Sequence, residues 1–300
     1  MATELELRNR IRSVKNIAKV TNALSAVSAS KARRAEGQVK ATRVYATKAF
    51  EILNNLAAQA GEHDHPLLTS RSEIKHTGLI VITGDRGLAG AYNSNIIRLA
   101  ENFIRALPTP TLVITVGRKG RDLMIRRGYQ VVATFMNLPS PPALLDIVPV
   151  AKVVTEDFLA GKYDQVFIAY TDYINLAKQR PVVKQLLPLK RLDMGGMAAA
   201  EYVRSVNVGE ASDRVYSYEP DPAELLNIIV PRFTELQLFQ SVLEALASEE
   251  SARFMAMQNA TDNASALVEA LTLERNKARQ SNITSEILDI VGGAEALAKD

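Results

Sequence analysis

The sequence predicts an α/β protein in which both ends of the chain form a long antiparallel two-helix coiled coil around an inserted α/β domain. Three observations lead to this prediction. Each end carries a long stretch almost free of helix breakers, with apolar residues at three- and four-residue steps. The middle of the chain alternates short β-branched runs with amphipathic stretches. Each terminal helix finds a partner of comparable length only at the other end, so the two are expected to pair.

The C-terminal stretch from Arg232 to Val291 contains no Gly and no Pro. At 1.5 Å per residue, such a helix runs ~90 Å, about twice the diameter of a compact ~150-residue domain, so it needs a partner along its length. Helical spacing keeps its apolar residues on one face; they are Ile229, Phe233, Leu236, Leu243, Leu246, Phe254, Met257, Ala264, Val268, Leu271 and Ala278.

The N-terminal stretch from Glu4 to Ala60 has Gly37 as its one breaker and predicts a helix of ~55 residues, about 80 Å long. Between Ile17 and Ala35 the residues are mostly Ala, Ser and Thr, which let a neighbouring backbone approach closely. The predicted apolar stripe consists of Leu7, Ile11, Val14, Ile17, Leu24, Val27, Val39, Ile52, Leu53 and Leu56.

The same helix is strongly basic, with Glu36 as its one acidic residue between positions 8 and 48. A charge run is often only a solvated helix face, but so unequal a balance favours an acidic partner: nucleic acid, an anionic membrane surface or an acidic protein surface. The basic residues are Arg8, Arg10, Arg12, Lys15, Lys19, Lys31, Arg33, Arg34, Lys40, Arg43 and Lys48.

The middle of the chain predicts a mostly parallel sheet covered by helices on both faces, as in a Rossmann-like α/β domain. The last two strands are expected to form a hairpin. Predicted strands cover 78–84, 111–117, 129–135, 164–173 and 180–189, and predicted helices cover 91–107, 118–127 and a stretch ending near Gly161. Residues 190–222 are predicted to be irregular. The predicted division is 1–62 for the N-terminal helix, 63–211 for the α/β domain and 212–300 for the C-terminal helix.

Several classes of protein and site are disfavoured by composition. The chain has no Cys, which excludes disulfides and thiolate metal sites. No apolar run is long enough to span a membrane, and Met1 to Arg12 lacks the apolar core of a signal peptide, so a cytoplasmic protein is expected. His63 and His65 lie close in sequence but lack a third defined ligand, and His76 is the remaining histidine, so no metal site is expected.

A glycine-rich turn follows the first predicted strand and comprises Gly84, Asp85, Arg86, Gly87 and Gly90. Phosphate-binding loops occupy such positions, but the G-x-x-G-x-x-G spacing matches neither the dinucleotide fingerprint nor the phosphate loop. A structural turn is therefore favoured, and a ligand loop remains the alternative. No catalytic motif accompanies the turn, and an enzyme would have to work with Asp85, Arg86 and Asn93.

The end of the C-terminal helix predicts burial by another protein. Its apolar residues Ile287, Leu288, Ile290, Val291 and Leu297 lie beyond the reach of an intramolecular partner. An exposed apolar patch of this kind is typical of a protein–protein contact.

Several segments together resemble the gamma subunits of F-type ATP synthases. The most specific is ITSEILDIVGGAEA at 283–296, and GDRGLAGAYN at 84–93 resembles a second hallmark. RIRSVKNIAKVTNALSAVSASKARRA at 10–35, EPDPAELL at 219–226 and ATDNASALVEAL at 260–271 also match, in the expected order. Where family members commonly have Met, this chain has Leu24 and Ala26. It lacks the cysteine-bearing insertion of the chloroplast type, which implies a bacterial form.

The resemblance implies a rotor shaft without catalytic activity or cofactor of its own. In the family, the helices turn within a ring of alpha and beta subunits, and the α/β domain contacts the epsilon subunit and the ring of membrane c-subunits. Arg279, Gln280, Thr284 and Glu286 match positions that hold a beta-subunit loop as a catch. The expected location is peripheral, at the cytoplasmic face of the bacterial inner membrane, with no membrane span and no nucleic-acid partner.

Two other classes of function remain as alternatives. The basic helix is also typical of a coiled-coil nucleic-acid-binding protein, whose binding would be sensitive to salt. The α/β domain with its glycine-rich turn is also compatible with a nucleotide-using enzyme, which would bind nucleotide at that turn.

Overall fold

A computed structural model describes residues 3–59, 65–189 and 221–297. The chain forms two compact units, one of residues Ser28–Arg253 and one that joins Met1–Val27 to Phe254–Asp300. The helices are α1 (Glu4–Gln59), α2 (Tyr92–Ala106), α3 (Arg118–Arg126), α4 (Leu144–Leu159) and α5 (Pro222–Leu297). The strands are β1 (Thr77–Ile82), β2 (Thr111–Val116), β3 (Val131–Phe135), β4 (Gln165–Tyr173) and β5 (Gln179–Leu187).

The five strands form one sheet in the order β3-β2-β1-β4-β5. Strand β1 pairs in parallel with β2 and β4, and β2 pairs in parallel with β3. Strand β5 pairs antiparallel with β4, with Tyr173 opposite Gln179. The predicted parallel sheet and its terminal hairpin are therefore confirmed.

The sheet carries apolar packing on both faces because successive side chains of a strand point to opposite sides. Ile80 and Ile82 of β1 pack into a cluster with Val150 and Phe158 of α4. Leu79 and Val81 belong to a second cluster that contains Ile96, Ile97 and Ala100 of α2 and Met124 of α3. This arrangement confirms the predicted three layers.

The two terminal helices pair in antiparallel fashion within each unit. In the smaller unit, Thr21 Oγ1 lies 2.7 Å from Thr261 Oγ1, and Ser25 Oγ donates to Gln258 Oε1 at 3.4 Å. Residue numbers therefore rise along one helix as they fall along the other. In the larger unit, Ala35 and Val39 of α1 cluster with Leu243 and Ala247 of α5. The predicted fold class, including the antiparallel pairing, is confirmed.

The buried face of α1 differs from the predicted apolar stripe at three positions. Ile17, Val27 and Ile52 are 55%, 53% and 48% exposed. The buried positions instead fall on a heptad register of alternating four- and three-residue steps, some of whose positions are only partly buried, and such spacing suits a coiled-coil seam. The buried members are Leu7, Ile11, Thr21, Ser25, Ser28, Ala32, Ala35, Val39, Ala46, Leu53 and Leu56. The three exposed residues each lie one position before a seam residue or seam position, so they point away from the partner helix.

Two sequence predictions fall on parts of the chain that the structure leaves undescribed. The domain boundaries at 62/63 and 211/212 and residues 190–220 of the predicted irregular stretch 190–222 lie outside the described residues, and they remain predictions. His63 also lies outside them, whereas His65 Nδ1 accepts a hydrogen bond from Leu67 N at 3.1 Å.

Two kinds of feature are absent from the described residues. Within 3–59, 65–189 and 221–297, no helix combines the length and hydropathy needed to cross a membrane. Across those same ranges, no cluster of three or more His, Asp or Glu side chains is arranged to hold a metal ion.

Candidate functional site

The glycine-rich turn between β1 and α2 is joined to two neighbouring loops by the carboxylate of Asp85. Its Oδ1 accepts a hydrogen bond from the backbone N–H of Arg118 at 2.8 Å, and its Oδ2 accepts one from the backbone N–H of Asn137 at 2.9 Å. Arg118 is the first residue of α3. Helix N-termini attract anions, and here the anion is the carboxylate of Asp85.

The turn is also braced by Asn93 of α2, whose Oδ1 accepts a hydrogen bond from Gly84 N at 3.0 Å. Gly90 has a positive φ of 55°, where a glycine avoids backbone strain. The side chain of Arg86 is exposed.

Two glycines that the sequence analysis did not single out hold β1 against the start of α3. A Cβ on Gly117 would lie 2.1 Å from the backbone oxygen of Thr83, and its φ is +100°. A Cβ on Gly120 would lie 2.7 Å from Thr83 Oγ1, which accepts a hydrogen bond from Gly120 N. The sequence signal was the G-x-x-G spacing at 117–120, directly after the second predicted strand.

Helix α5 packs directly onto the glycine-rich turn. A Cβ on Gly84 would lie 2.5 Å from Glu249 Oε1. Glu249 forms an ion pair with Arg253, whose Nε also donates to Gly87 O at 3.4 Å. Burial raises the pKa of Glu249, and the Arg253 guanidinium opposes that rise. The turn therefore contributes the space and the backbone acceptor that this ion pair uses.

Two further hydrogen bonds join α5 to the carboxyl-end side of the sheet. Tyr92 OH donates to Ala245 O at 3.1 Å, and Ser248 Oγ donates to Thr171 O of β4 at 3.0 Å. Open α/β sheets bind ligands outside the carboxyl ends of their strands, where strand order reverses. In this sheet the reversal falls between β1 and β4, and α5 contacts both the turn after β1 and the end of β4. The geometry favours the structural interpretation of the turn.

Of the eleven basic residues on α1, seven are exposed and have no ion-pair partner among the residues that the structure describes. They are Arg8, Arg10, Arg12, Lys15, Lys19, Arg33 and Arg34. Arg43, which belongs to the same basic run, differs because its guanidinium is largely buried and forms ion pairs with Asp172 and Glu244. At least one of the basic residues of α1 therefore neutralises carboxylates inside the larger unit and does not face a partner.

The four residues of the predicted catch lie exposed on α5. Arg279 and Glu286 present their charges to solvent. Thr284 Oγ1 donates to Gln280 O at 2.9 Å within the helix, so the hydroxyl proton is used locally and its oxygen remains available as an acceptor. The geometry leaves these side chains open to a partner.

The end of α5 exposes a run of large apolar side chains. Ile287, Leu288, Ile290 and Val291 are each more than half exposed. The side chain of Leu297, which was predicted to belong to the same group, lies outside the described residues. Such a group stays exposed in a lone chain only at a free-energy cost, which burial by another protein removes.

Comparisons with known proteins cover nearly the whole chain. A family model described as ATP synthase matches residues 3–297. The ATP synthase gamma chain of Dehalococcoides mccartyi strain CBDB1 is 44% identical over 300 residues, covering 99% of this chain and 100% of that protein. The gamma chain of Roseiflexus castenholzii is 43% identical over 305 residues, covering 100% of both.

The chain belongs to the ATP synthase gamma-chain family. This confirms the identification made from the sequence, and it makes the protein a subunit of an ATP synthase without a catalytic site of its own. Known structures share the fold. A chain of the Euglena gracilis mitochondrial ATP synthase OSCP/F1/c-ring assembly aligns with a TM-score of 0.66 at 20% identity, covering 97% of this chain and 93% of that one. A chain of the Tetrahymena thermophila central stalk and c-ring structure aligns with a TM-score of 0.59 at 22% identity, covering 80% and 99%.

Proposed function

We propose that this gamma chain is the rotating central shaft of a bacterial F-type ATP synthase, coupling rotation of the c-ring to ATP synthesis or hydrolysis on the beta subunits. The observation that carries the proposal is the heptad seam of α1, whose residues pack against α5 within each compact unit. Two helices packed along a seam resist bending and twisting better than one, as a shaft requires.

The shaft must also be fastened to the part of the molecule that receives the torque. In the larger unit, α5 is held to the sheet by the hydrogen bonds of Tyr92 and Ser248 and by the close approach of Gly84 to Glu249. We assign residues 1–62 and 212–300 to the shaft helices and 63–211 to the α/β domain, which would contact the epsilon subunit and the c-ring. That contact would place the chain peripherally at the cytoplasmic face of the inner membrane.

The exposed basic residues of α1 suit repeated contact with acidic loops of the surrounding alpha and beta subunits. Exposed ion pairs contribute about 0–1 kcal/mol each. Contacts of that strength form and break easily as a shaft turns past several equivalent partners. The absence of ion pairs for these seven residues among the described part of the chain leaves their charges available for such contacts.

The end of α5 supplies the stronger contacts of the proposed shaft. Arg279 offers a planar group of five donors that suits a carboxylate, and Glu286 can accept hydrogen bonds from backbone N–H groups. We infer that these residues, with Gln280 and Thr284, hold a beta-subunit loop, and that the apolar residues from Ile287 onward are buried by the alpha and beta ring.

A rotation assay on a reconstituted complex tests the proposal. Because the chain has no Cys, a single cysteine at the exposed Arg126 provides one attachment point for a visible marker. The variant is assembled with bacterial alpha and beta subunits that are immobilised on a surface. ATP should then drive stepwise rotation of the marker in one direction. A marker that stays fixed while the same complexes hydrolyse ATP would rule out the shaft function.

A further inference from the structure

Five charged side chains lie together in the larger unit where α1 and α5 meet the hairpin of β4 and β5. This charge cluster consists of Arg43, Asp172, Lys184 and Glu244, with the exposed Arg180 at its edge. Arg43 Nε donates to Glu244 Oε1 at 2.9 Å, and Arg43 Nη2 lies 3.3 Å from Asp172 Oδ1 and donates to Tyr173 O at 2.9 Å. Arg180 Nη2 donates to Asp172 Oδ2 at 2.9 Å. One side chain of α1 therefore connects carboxylates of β4 and α5.

Within this cluster the two oxygens of Glu244 have very different surroundings. The residue is 0% exposed. Oε1 accepts hydrogen bonds from Arg43 Nε and, at 2.7 Å, from Gln240 Nε2. Oε2 is buried without a hydrogen-bond partner among the described residues, as are Tyr170 OH and Gln240 Oε1. The carboxyl group is therefore satisfied on one side only.

A buried ionised oxygen without a donor is costly, and the usual resolution is to bind a proton. Charged and titratable groups face Glu244 from each element around it. Arg43 of α1 and Asp172 of β4 act on its carboxyl group directly. Tyr170 of β4 and Lys184 of β5 interact with its charge, and Arg180 of β5 acts on those two groups. Burial raises the pKa of Glu244 to about 7, with Arg43 opposing that rise and Asp172 adding to it. Burial also lowers the pKa of Lys184.

We propose that Glu244 is a proton-binding site, which takes up a proton from solvent on the unpartnered Oε2 while Oε1 keeps its hydrogen bonds from Arg43 and Gln240. No bond other than the new O–H forms or breaks, and the cluster gains one positive charge. The proposal is independent of the rotor function. It concerns only how the hairpin of β4 and β5 and the two terminal helices hold together.

The consequence for stability follows from linkage. A glutamate in an unfolded chain titrates near pH 4.3 or so, whereas Glu244 titrates at about 7 in the folded chain. Between those values the folded chain holds a proton that the unfolded chain has released. The contribution of Glu244 to the free energy of unfolding is therefore fully present below the unfolded pKa and is lost as pH rises through the folded pKa.

Infrared difference spectroscopy of the full-length chain tests the proposal directly, since a protonated carboxyl group has a C=O stretching band that an ionised one lacks. Spectra are collected from about pH 5 to about pH 9, the range that brackets the expected titration. The wild-type chain should show a carboxylic-acid band that titrates at about pH 7. The Glu244→Gln variant should lack it, because a glutamine amide mimics the protonated form and cannot titrate. Glu269→Gln, an exposed glutamate of the same helix, should keep it.

Two outcomes overturn the proposal. One is a wild-type chain with no carboxylic-acid band above about pH 6, where exposed glutamates are ionised; this result needs no variant, so it stands even if Glu244→Gln folds poorly. The other is a band that persists unchanged in a folded Glu244→Gln chain. Denaturant unfolding over the same pH range adds a second measure. The denaturant concentration at the wild-type midpoint should fall as the pH is raised from about 5 to about 8. This fall should be smaller in Glu244→Gln than in Glu269→Gln.

Discussion

Gly84 lies against Glu249 so closely that a Cβ on the glycine would be 2.5 Å from the carboxylate oxygen Oε1. Glu249 has little freedom to move, because it is largely buried and paired with Arg253. The first glycine of the turn is therefore required by a residue of α5 that is distant in sequence. Backbone conformation alone does not demand glycine here, since no positive φ is recorded for Gly84.

We expect Gly84→Ala to lower the free energy of unfolding by about 1–3 kcal/mol, because the added methyl group overpacks the contact with Glu249. Gly117→Ala should cost more, since its Cβ would meet the rigid backbone oxygen of Thr83 and its φ of +100° disfavours any side chain. Denaturant unfolding of the full-length chain measures both.

Two other glycines provide matched controls for this prediction. Gly87 belongs to the same turn, and a Cβ there would meet nothing within 4 Å, so Gly87→Ala should have little effect. Gly37 lies exposed in the interior of α1 and is equally free of neighbours, so Gly37→Ala should stabilise the chain by about 0.5–1 kcal/mol. Equal effects of Gly84→Ala and Gly87→Ala would contradict the proposed contact.

Asp164 is expected to make the chain sensitive to acid. Burial alone would raise its pKa, but the N–H groups of His76 and Lys75 and the Arg71 guanidinium outweigh burial and lower it. Their hydrogen bonds to its carboxylate measure 2.9, 2.7 and 2.8 Å. Because the folded pKa lies below the unfolded value, this stabilisation is present above the unfolded pKa and is lost as pH falls through the folded pKa.

Asp164→Asn should therefore destabilise the chain at neutral pH by about 1.5–3 kcal/mol, the usual contribution of hydrogen bonds to a charged group. The difference from wild type should shrink as the pH falls below the unfolded pKa of Asp164 and through its lowered folded pKa. Unfolding curves at several pH values measure this effect, with the nearby exposed Glu73→Gln as the control. A difference that stays constant with pH would show that the charge of Asp164 is unimportant.

The full-length chain is expected to bind neither ATP nor NAD at the glycine-rich turn. Asp85 already places a carboxylate at the N-terminus of α3, and a phosphate there would be repelled by it. Calorimetric titration with either nucleotide should give no heat of binding. Micromolar affinity that is lost in Gly84→Ala would contradict the structural interpretation of the turn.

Replacing Arg279 should slow the assembled complex without destabilising the chain. The side chain is exposed, so Arg279→Ala should leave unfolding unchanged. In the complex it should weaken a charge-assisted contact of about 1.5–3 kcal/mol and lower ATP turnover. Thr284→Ala should have a smaller effect, since a neutral hydroxyl contact contributes about 0.5–1.5 kcal/mol and its proton already bonds within the helix.

ATP hydrolysis and assembly yield are measured together for these variants, so that poor assembly is distinguished from slow turnover. Asn282→Ala, an exposed change in the same stretch of α5, is the matched control. Wild-type turnover of an Arg279→Ala, Glu286→Ala double variant would show that these side chains form only solvated surface.

The sequence alone determined the types and order of the elements. The spacing of apolar residues is a local property, and it predicted a helix from Glu4 to Ala60, which the structure describes as Glu4–Gln59. The strand patterns also predicted the hairpin of β4 and β5. The breaker-free stretches likewise indicated that each terminal helix needs a partner. These features depend on local periodicities, which can be recognised without knowing any contact with the rest of the chain.

Only the tertiary structure decided which side chains those elements bury. The predicted stripe of α1 held Ile17 and Val27 beside small residues such as Thr21 and Ser28, yet the fold buries these two small residues and exposes Ile17 and Val27. Arg43 looked like one of many surface cations until the fold brought Asp172 and Glu244 to it. Such contacts join residues far apart in sequence, and their free energy depends on shape and burial that no local pattern of residues encodes.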